Sequence, residues 1–294
     1  MPERGVFAHN SFFLIGAPKC GTTSVATHLS EHPQISFSHP KEPHFFSTDY
    51  PFGPEGLRHL DDYLTLFPSK KDAQRFGEGS VFYLYSEHAI NRIEAITENR
   101  AKYIVCLRDP VMASFSLHAQ HVAFGWEPER DYLAALLRDE EGSARANPDP
   151  KLASVLNYAR FYQYAPYVTR LLNQVDEERV FISVLERDGR NPSSFYARLH
   201  EFLGISSREV DHSLRVNDAR RIGNETLYHI LTSPGVLALA RQARRLFAPK
   251  GFGLKRPIRK ISISERRAAH DIFRDDIKET AWLAQFDPRL WETP

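Results

Sequence analysis

The chain has 294 residues, 42% of them apolar and 26% charged, with a formal net charge of +1. Those values describe a globular chain with material for a large core, as one large domain or two small ones. They exclude a disordered polyelectrolyte and a surface that takes up nucleic acid by bulk charge.

Cys20 and Cys106 are the two cysteines, so no disulfide framework is expected and both read as reduced thiols. No apolar run reaches the roughly 18 residues of a membrane span. Residues 1–10 lack the apolar centre of a signal peptide, and the expected location is cytoplasmic. The first strand is expected from about Ser11. It feeds Gly16-Ala17-Pro18-Lys19-Cys20-Gly21-Thr22-Thr23-Ser24 and then a helix over 22–31. A strand that ends in a turn before a helix N-terminus presents backbone N–H groups and the positive end of the helix dipole to an anion. Thr22, Thr23 and Ser24 add hydroxyls, and Lys19 adds a cation. Gly16 and Gly21 have the spacing of a Walker A loop, but Thr22 stands where an NTPase carries its lysine. The lysine sits inside the loop instead, where it can curl over the group being transferred.

His32-Pro33 stops the helix. His28 to His32 formally match H-x-x-E-H, but the match straddles the helix end, and it reads as two surface histidines rather than a zinc site. A short strand is expected over 34–38. The block His39-Pro40-Lys41-Glu42-Pro43-His44-Phe45-Phe46 follows as a proline-stiffened loop. In an extended chain Glu42 and His44 project to one side and Lys41 to the other, a placement suited to general-base work.

Helical spacing covers 57–67, a strand runs over 75–83 into a turn past Glu78 and Ser80, and Ser86 is an N-cap candidate for a helix over 86–97. A buried-type strand over 102–107 ends in Arg108-Asp109-Pro110, and a helix follows to about His121. Next come a helix over 131–139, a polar loop over 140–150 and an aromatic-rich helix over 151–172. A strand over 179–185 precedes a helix over 192–203 that stops at Gly204. The remainder reads as a polar loop (216–223), a helix (226–247), a basic loop (248–260) and a last helix (264–284), with Trp282 and Trp291 docking the tail. His118 and His121 read as surface or cleft-lining residues. The alternation predicts a single α/β domain over residues 1–294, P-loop-like, with a central parallel sheet flanked by helices and extra C-terminal helices.

In open parallel sheets, ligands sit at the carboxyl ends of the strands. Arg108 offers a planar fork for phosphate oxygens, and Ser116 lies two turns into the next helix. Anion donors at both Gly16 and Leu107 suggest a nucleotide with phosphates at both ends.

On these residues the chain resembles the sulfotransferases. Residues 16–24 resemble their 5′-phosphosulfate loop, and Arg108-Asp109-Pro110 with Ser116 resembles their 3′-phosphate motif. The Lys41 to Phe46 block, with Glu78-Gly79-Ser80, is similar to the branch of heparan sulfate 3-O-sulfotransferases and N-sulfotransferase domains. The likeness runs from about Phe12 to Gly204, and bacterial cytosolic sulfotransferases share the layout. It implies 3′-phosphoadenosine 5′-phosphosulfate (PAPS) as donor, PAP as product and no required metal. The acceptor implied is a small molecule or glycan bearing a hydroxyl or amine. Lys19 would stabilise the leaving oxygen, Glu42 would act as base with His44 as its rival, and Lys41 would raise the local positive potential. Cys20, Gly21, Thr22, Thr23, Ser24, Arg108 and Ser116 would hold the nucleotide. The branch's disulfide-bearing C-terminal loop and Lys-Gly-Arg motif are missing. Lys250-Gly251 and Lys255-Arg256 are the nearest basic candidates for that third contact. Two other readings stay open: a P-loop kinase or NTPase, and a non-catalytic nucleotide-binding module.

Overall fold

A computed structural model describes residues 1–50, 57, 59–147, 149–208 and 260–292. The expectations for 216–223, 226–247 and 248–259, with Lys250, Gly251, Lys255 and Arg256, fall outside them. The chain divides into two compact units, Met1–Leu214 with Ile263–Pro294, and Arg215–Ser262. The second lies almost wholly outside the described residues; the sheet and its flanking helices belong to the first.

Five strands form one sheet in the order β2-β3-β1-β4-β5: β1 Ser11–Gly16, β2 Ile35–Phe37, β3 Arg75–Glu78, β4 Lys102–Leu107 and β5 Val180–Val184. Every pairing is parallel. All six residues of β1 are buried, because a central strand with helices on both faces has no wet side. The flanking helices are α1 Arg4–Asn10, α2 Thr22–Glu31, α3 Leu60–Leu64, α4 Ala89–Thr97, α5 Pro110–Phe124, α6 Tyr132–Leu136, α7 Glu140–Ala146, α8 Pro150–Leu156, α9 Tyr158–Phe161, α10 Ala165–Gln174, α11 Leu185–Asp188, α12 Pro192–Leu203 and α13 Ile263–Leu283. The parallel α/β class expected from the sequence is the observed one.

Several local expectations change. Residues 4–10 form α1, which buries Phe7 and Ala8. The polar stretch after Asp139 is helical, because Asp139 accepts from Gly142 N at 2.6 Å and caps α7. The single aromatic helix over 151–172 is three helices. Asn157 caps α9 by accepting from Arg160 N, and Asp276 of α13 accepts from Tyr164 N and Ala165 N, each at 2.9 Å, so a new helix starts there. Ser86 Oγ accepts from His88 N and Ala89 N, but α4 itself begins at Ala89. Trp291 is fully buried as expected, whereas Trp282 is 79% exposed and docks nothing.

The histidines of the H-x-x-E-H stretch are not a surface pair. His32 is buried, and His28 Nε2 lies 3.0 Å from His200 Nε2 on α12. Arg208 N donates to His200 Nδ1, so His200 carries its proton on Nε2 and gives it to His28. His32 accepts from Gln34 N and donates to Ser206 O. Burial and the neighbouring imidazoles push His28 and His200 down to about 4.

The fold yields two tests. A Cβ on Gly77 would meet Phe12 Cζ at 2.3 Å and Phe37 Cδ2 at 2.7 Å. Gly77→Ala should therefore cost about 1–3 kcal/mol in chemical denaturation. The folded chain holds His28 and His200 neutral while the unfolded chain protonates them below the ordinary value of 6.5. Stability should fall as pH drops from 6.5 towards about 4. In thermal melts across that range, a His28→Gln/His200→Gln double variant should lose less than the parent.

Candidate active site

The sheet order sets the site. β3 and β4 both pair with β1, so three carboxyl ends lie side by side. After β1 the chain turns at Gly16, where an added Cβ would sit 2.9 Å from Leu84 Cβ and 3.2 Å from Val81 O; only glycine lets this backbone pass so close. Ala17 N donates to Cys106 O at 2.7 Å and fastens the turn to β4. Gly21, at φ 84°, is the N-cap of α2 in the left-handed region, so the helix opens directly from the turn after β1. Thr22 is buried, Ser24 half-buried and Thr23 exposed.

Lys19 sits inside the loop at φ 64°. Its Nζ donates to Gln120 Oε1 on α5 at 2.9 Å. Its carbonyl accepts from Arg108 Nη1 at 3.3 Å, which joins the two anion-donor sets. The side chain of Cys20 points inward. It donates to Pro18 O and meets the Tyr164 hydroxyl, each at 3.4 Å, and burial pushes its thiol up to about 12. Burial thus keeps the Cys20 thiol protonated and its side chain turned away from the turn's outer surface.

Behind Arg108 stands a polar network. Asp109 does not pair with Arg108. It caps α5 through Val111 N and accepts from Arg266 of α13 at 2.8 Å. Glu186 accepts from Asp109 N and from Trp291 Nε1, and lies 3.8 Å from Arg108 Nε. Ser116 is half-buried on α5, one turn before Gln120 on the same face. His118 and His121, expected as surface or cleft-lining residues, are buried: His118 hydrogen-bonds Glu129 O and His121 bonds the Tyr158 hydroxyl.

The Lys41–His44 loop lies on the β3 end. Glu42 N donates to Gly79 O at 3.0 Å, His44 N to Ser80 Oγ at 2.9 Å and Phe46 N to the Tyr83 hydroxyl at 3.2 Å. The loop is not extended as expected. Glu42 has φ 64° and His44 φ 50°, and Lys41 Nζ donates to Glu42 Oε1 rather than projecting away from it. His44 Nε2 lies 3.9 Å from the other carboxylate oxygen. Burial acts to raise the Glu42 carboxyl, but His44 and Lys41 together outweigh it and hold it down at about 2. The side chain of Glu42 is 39% exposed and that of His44 only 3%.

Sequence reasoning missed Gln120, Glu186 and Arg266 as parts of this site. Gln120 was findable, four residues beyond Ser116 on a helix. Glu186 and Arg266 carry no local signal.

The sequence pattern of the family described as "Sulfotransferase domain" matches residues 9–227. The chain is similar to membrane-associated sulfotransferase kil1 of Dictyostelium discoideum, 33% identical over 40% of this chain and 23% of that protein. It is 32% identical to mouse carbohydrate sulfotransferase 15 over 36% of this chain and 26% of the relative. It is 26% identical to bovine bifunctional heparan sulfate N-deacetylase/N-sulfotransferase 2 over 66% of this chain and 22% of the relative. The matches thus span about a quarter of each relative's length. Among solved structures, a sulfotransferase from Alicyclobacillus acidocaldarius superposes with a TM-score of 0.69 at 26% identity, covering 96% of this chain and 98% of the other. Mouse sulfotransferase SULT7A1 complexed with PAP shares the fold, with a TM-score of 0.50 at 13% identity over 95% and 89% of the two chains.

The network behind Arg108 gives a stability test. Asp109 is only 2% exposed, and Arg266 opposes the effect of burial on its carboxyl. Arg266→Ala leaves a buried carboxylate without its cation and should cost on the order of 3 kcal/mol at neutral pH. The deficit should shrink in mild acid, where Asp109 takes up a proton. Urea unfolding at the two pH values reads both effects.

Proposed function

The chain belongs to the sulfotransferase domain family, and on that premise we propose that it moves the sulfuryl group of PAPS to a hydroxyl or amine of a small-molecule or glycan acceptor. The observation that carries this reading is the alignment of three strand ends, with an anion cradle after β1, a guanidinium after β4 and a carboxylate–imidazole pair held on β3. PAPS, when bound, supplies a sulfuryl group on a phosphosulfate anhydride, and PAP is the leaving group.

The α2 N-terminus with Thr22, Thr23 and Ser24 holds the 5′-phosphosulfate, and Arg108 with Ser116 holds the 3′-phosphate. Gly21 and the Cys20 backbone shape the turn. Lys255 and Arg256 are the candidates for a third nucleotide contact. Lys19 stabilises charge on the leaving oxygen, and Gln120 holds its ammonium until the donor arrives. Glu42 takes the acceptor proton. Its exposure against the burial of His44 supports this order of roles, because an incoming acceptor reaches the carboxylate and not the imidazole. With Lys41 upon it Glu42 is a weak base. An anionic sulfuryl group beside Lys41 competes for that ammonium and raises the proton affinity of Glu42.

A P-loop kinase is the competing chemistry. Thr22 in the lysine position leaves the β/γ-phosphates of ATP without their main cation, which argues against it. The acceptor classes in the relatives' names, carbohydrate and heparan sulfate, favour a glycan over other acceptors for this chain.

Incubation with radiolabelled PAPS and an acceptor panel tests the reading. Lys19→Ala and Glu42→Gln should each lower transfer by about 10²–10⁴-fold, with PAP still bound by the Glu42 variant. A chelator should leave turnover intact. Preference for ATP over PAP, or full loss of turnover with the chelator, would point to the kinase reading. PAP binding without transfer to any acceptor would point to a binding module.

A further inference from the structure

Glu78 is the last residue of β3, and its side chain is fully buried. Oε2 accepts from the Tyr63 hydroxyl at 3.4 Å, and Oε1 makes no hydrogen bond of good geometry among the described residues. Burial makes a charge on this carboxyl more costly than the surrounding hydroxyls offset, and a proton on the carboxyl removes that cost.

Its neighbours are the groups that hold the catalytic loop. Gly79 O accepts from Glu42 N, Ser80 Oγ from His44 N, and the Tyr83 hydroxyl from Phe46 N. The Ser80 and Tyr83 hydroxyls also face Glu78. These three backbone donors of the loop therefore end on the turn that Glu78 starts, two of them on hydroxyls beside its carboxyl. Among the described residues, the titratable groups that act most on it are Tyr63 from α3, Tyr83 from the turn after β3 and Lys41 from the loop. On the side of β1, its register partner is the apolar Phe13.

We propose that Glu78 is a positioning residue for sulfuryl transfer, a neutral buried carboxyl that anchors the turn holding Glu42 and His44 and whose ionisation disables that loop. This rests on the sulfotransferase reading above. An ionised Glu78 places a negative charge behind the loop that must admit an anionic donor. It also competes with Glu42 and the incoming sulfuryl group for Lys41. Burial pushes the Glu78 carboxyl up to about 7, so the change falls in the neutral range.

The test pairs kinetics with a titration that needs no turnover. The kcat of the parent should fall about tenfold between one pH unit below and one above the Glu78 midpoint. In Glu78→Gln, neutral at every pH, that fall should vanish, while the KM for PAPS follows the parent. Carbon-13 NMR of side-chain carboxyls should show one titrating near neutrality in the parent and missing from Glu78→Gln. The Glu42 signal should move with it in the parent. Thermal melting confirms that the variant is folded, and Glu78→Asp serves in its place if it is not, with a displaced midpoint expected. The same kinetic fall in the variant, or no such titrating carboxyl in the parent, overturns the proposal. If the parent transfers sulfate at no pH, the sulfotransferase reading fails. The carboxyl titration and the response of Glu42 then still decide whether Glu78 reaches the loop.

Discussion

The site depends on the parallel pairing of β1 with β3 on one side and β4 on the other. Parallel strands end at the same edge, so each contributes its following loop to one crevice. Two cross-strand bonds fasten the ends of β1 and β4 together: Ala17 N to Cys106 O, and Arg108 to the Lys19 carbonyl. The sheet thus places the turn after β1, Arg108 after β4 and the Glu42 loop at one edge.

That placement costs backbone energy. Lys19, Glu42 and His44 all lie in the left-handed region, which side-chain-bearing residues rarely adopt. Each costs about 1 kcal/mol or more. Hydrogen bonds from the neighbouring strand ends offset it, at Gly79 O and Ser80 Oγ for the loop and at the Lys19 carbonyl for the cradle. Backbone strain of this kind fits a preorganised site, where side chains fixed in advance need not reorganise when charge develops.

The C-terminal part of the first unit serves the same edge. Arg266 and Trp291 lie far along the chain from Arg108, yet they hold Asp109 and Glu186, which flank it. Asp276 in the same helix starts α10 by capping its first N–H groups. Helix α13 thus acts through carboxylate hydrogen bonds as well as through apolar packing.

Much of this was written locally. The cradle over 16–24 was readable because its requirements are local: glycine at a close approach, glycine at positive φ, and hydroxyls at a helix start. The alternation of buried-type runs and helical spacing gave the parallel sheet, and Gly204 was readable as a helix stop for the same reason as Gly21. Tertiary contacts decided the rest. Asp276, more than a hundred positions away, breaks the aromatic helix. His200 turns a formal metal motif into a neutral imidazole pair. Strand ends at Gly79 and Ser80 bend the Glu42 loop out of the extended form its prolines suggested, and bring Lys41 onto Glu42. The sequence by itself determined the glycine-bounded turn between β1 and α2 and the alternation of strands with helices, because those are short-range backbone properties. Which carboxylate is buried, which is exposed and which cation each one meets was settled only by the tertiary structure, because charge and burial depend on neighbours that the chain order keeps apart.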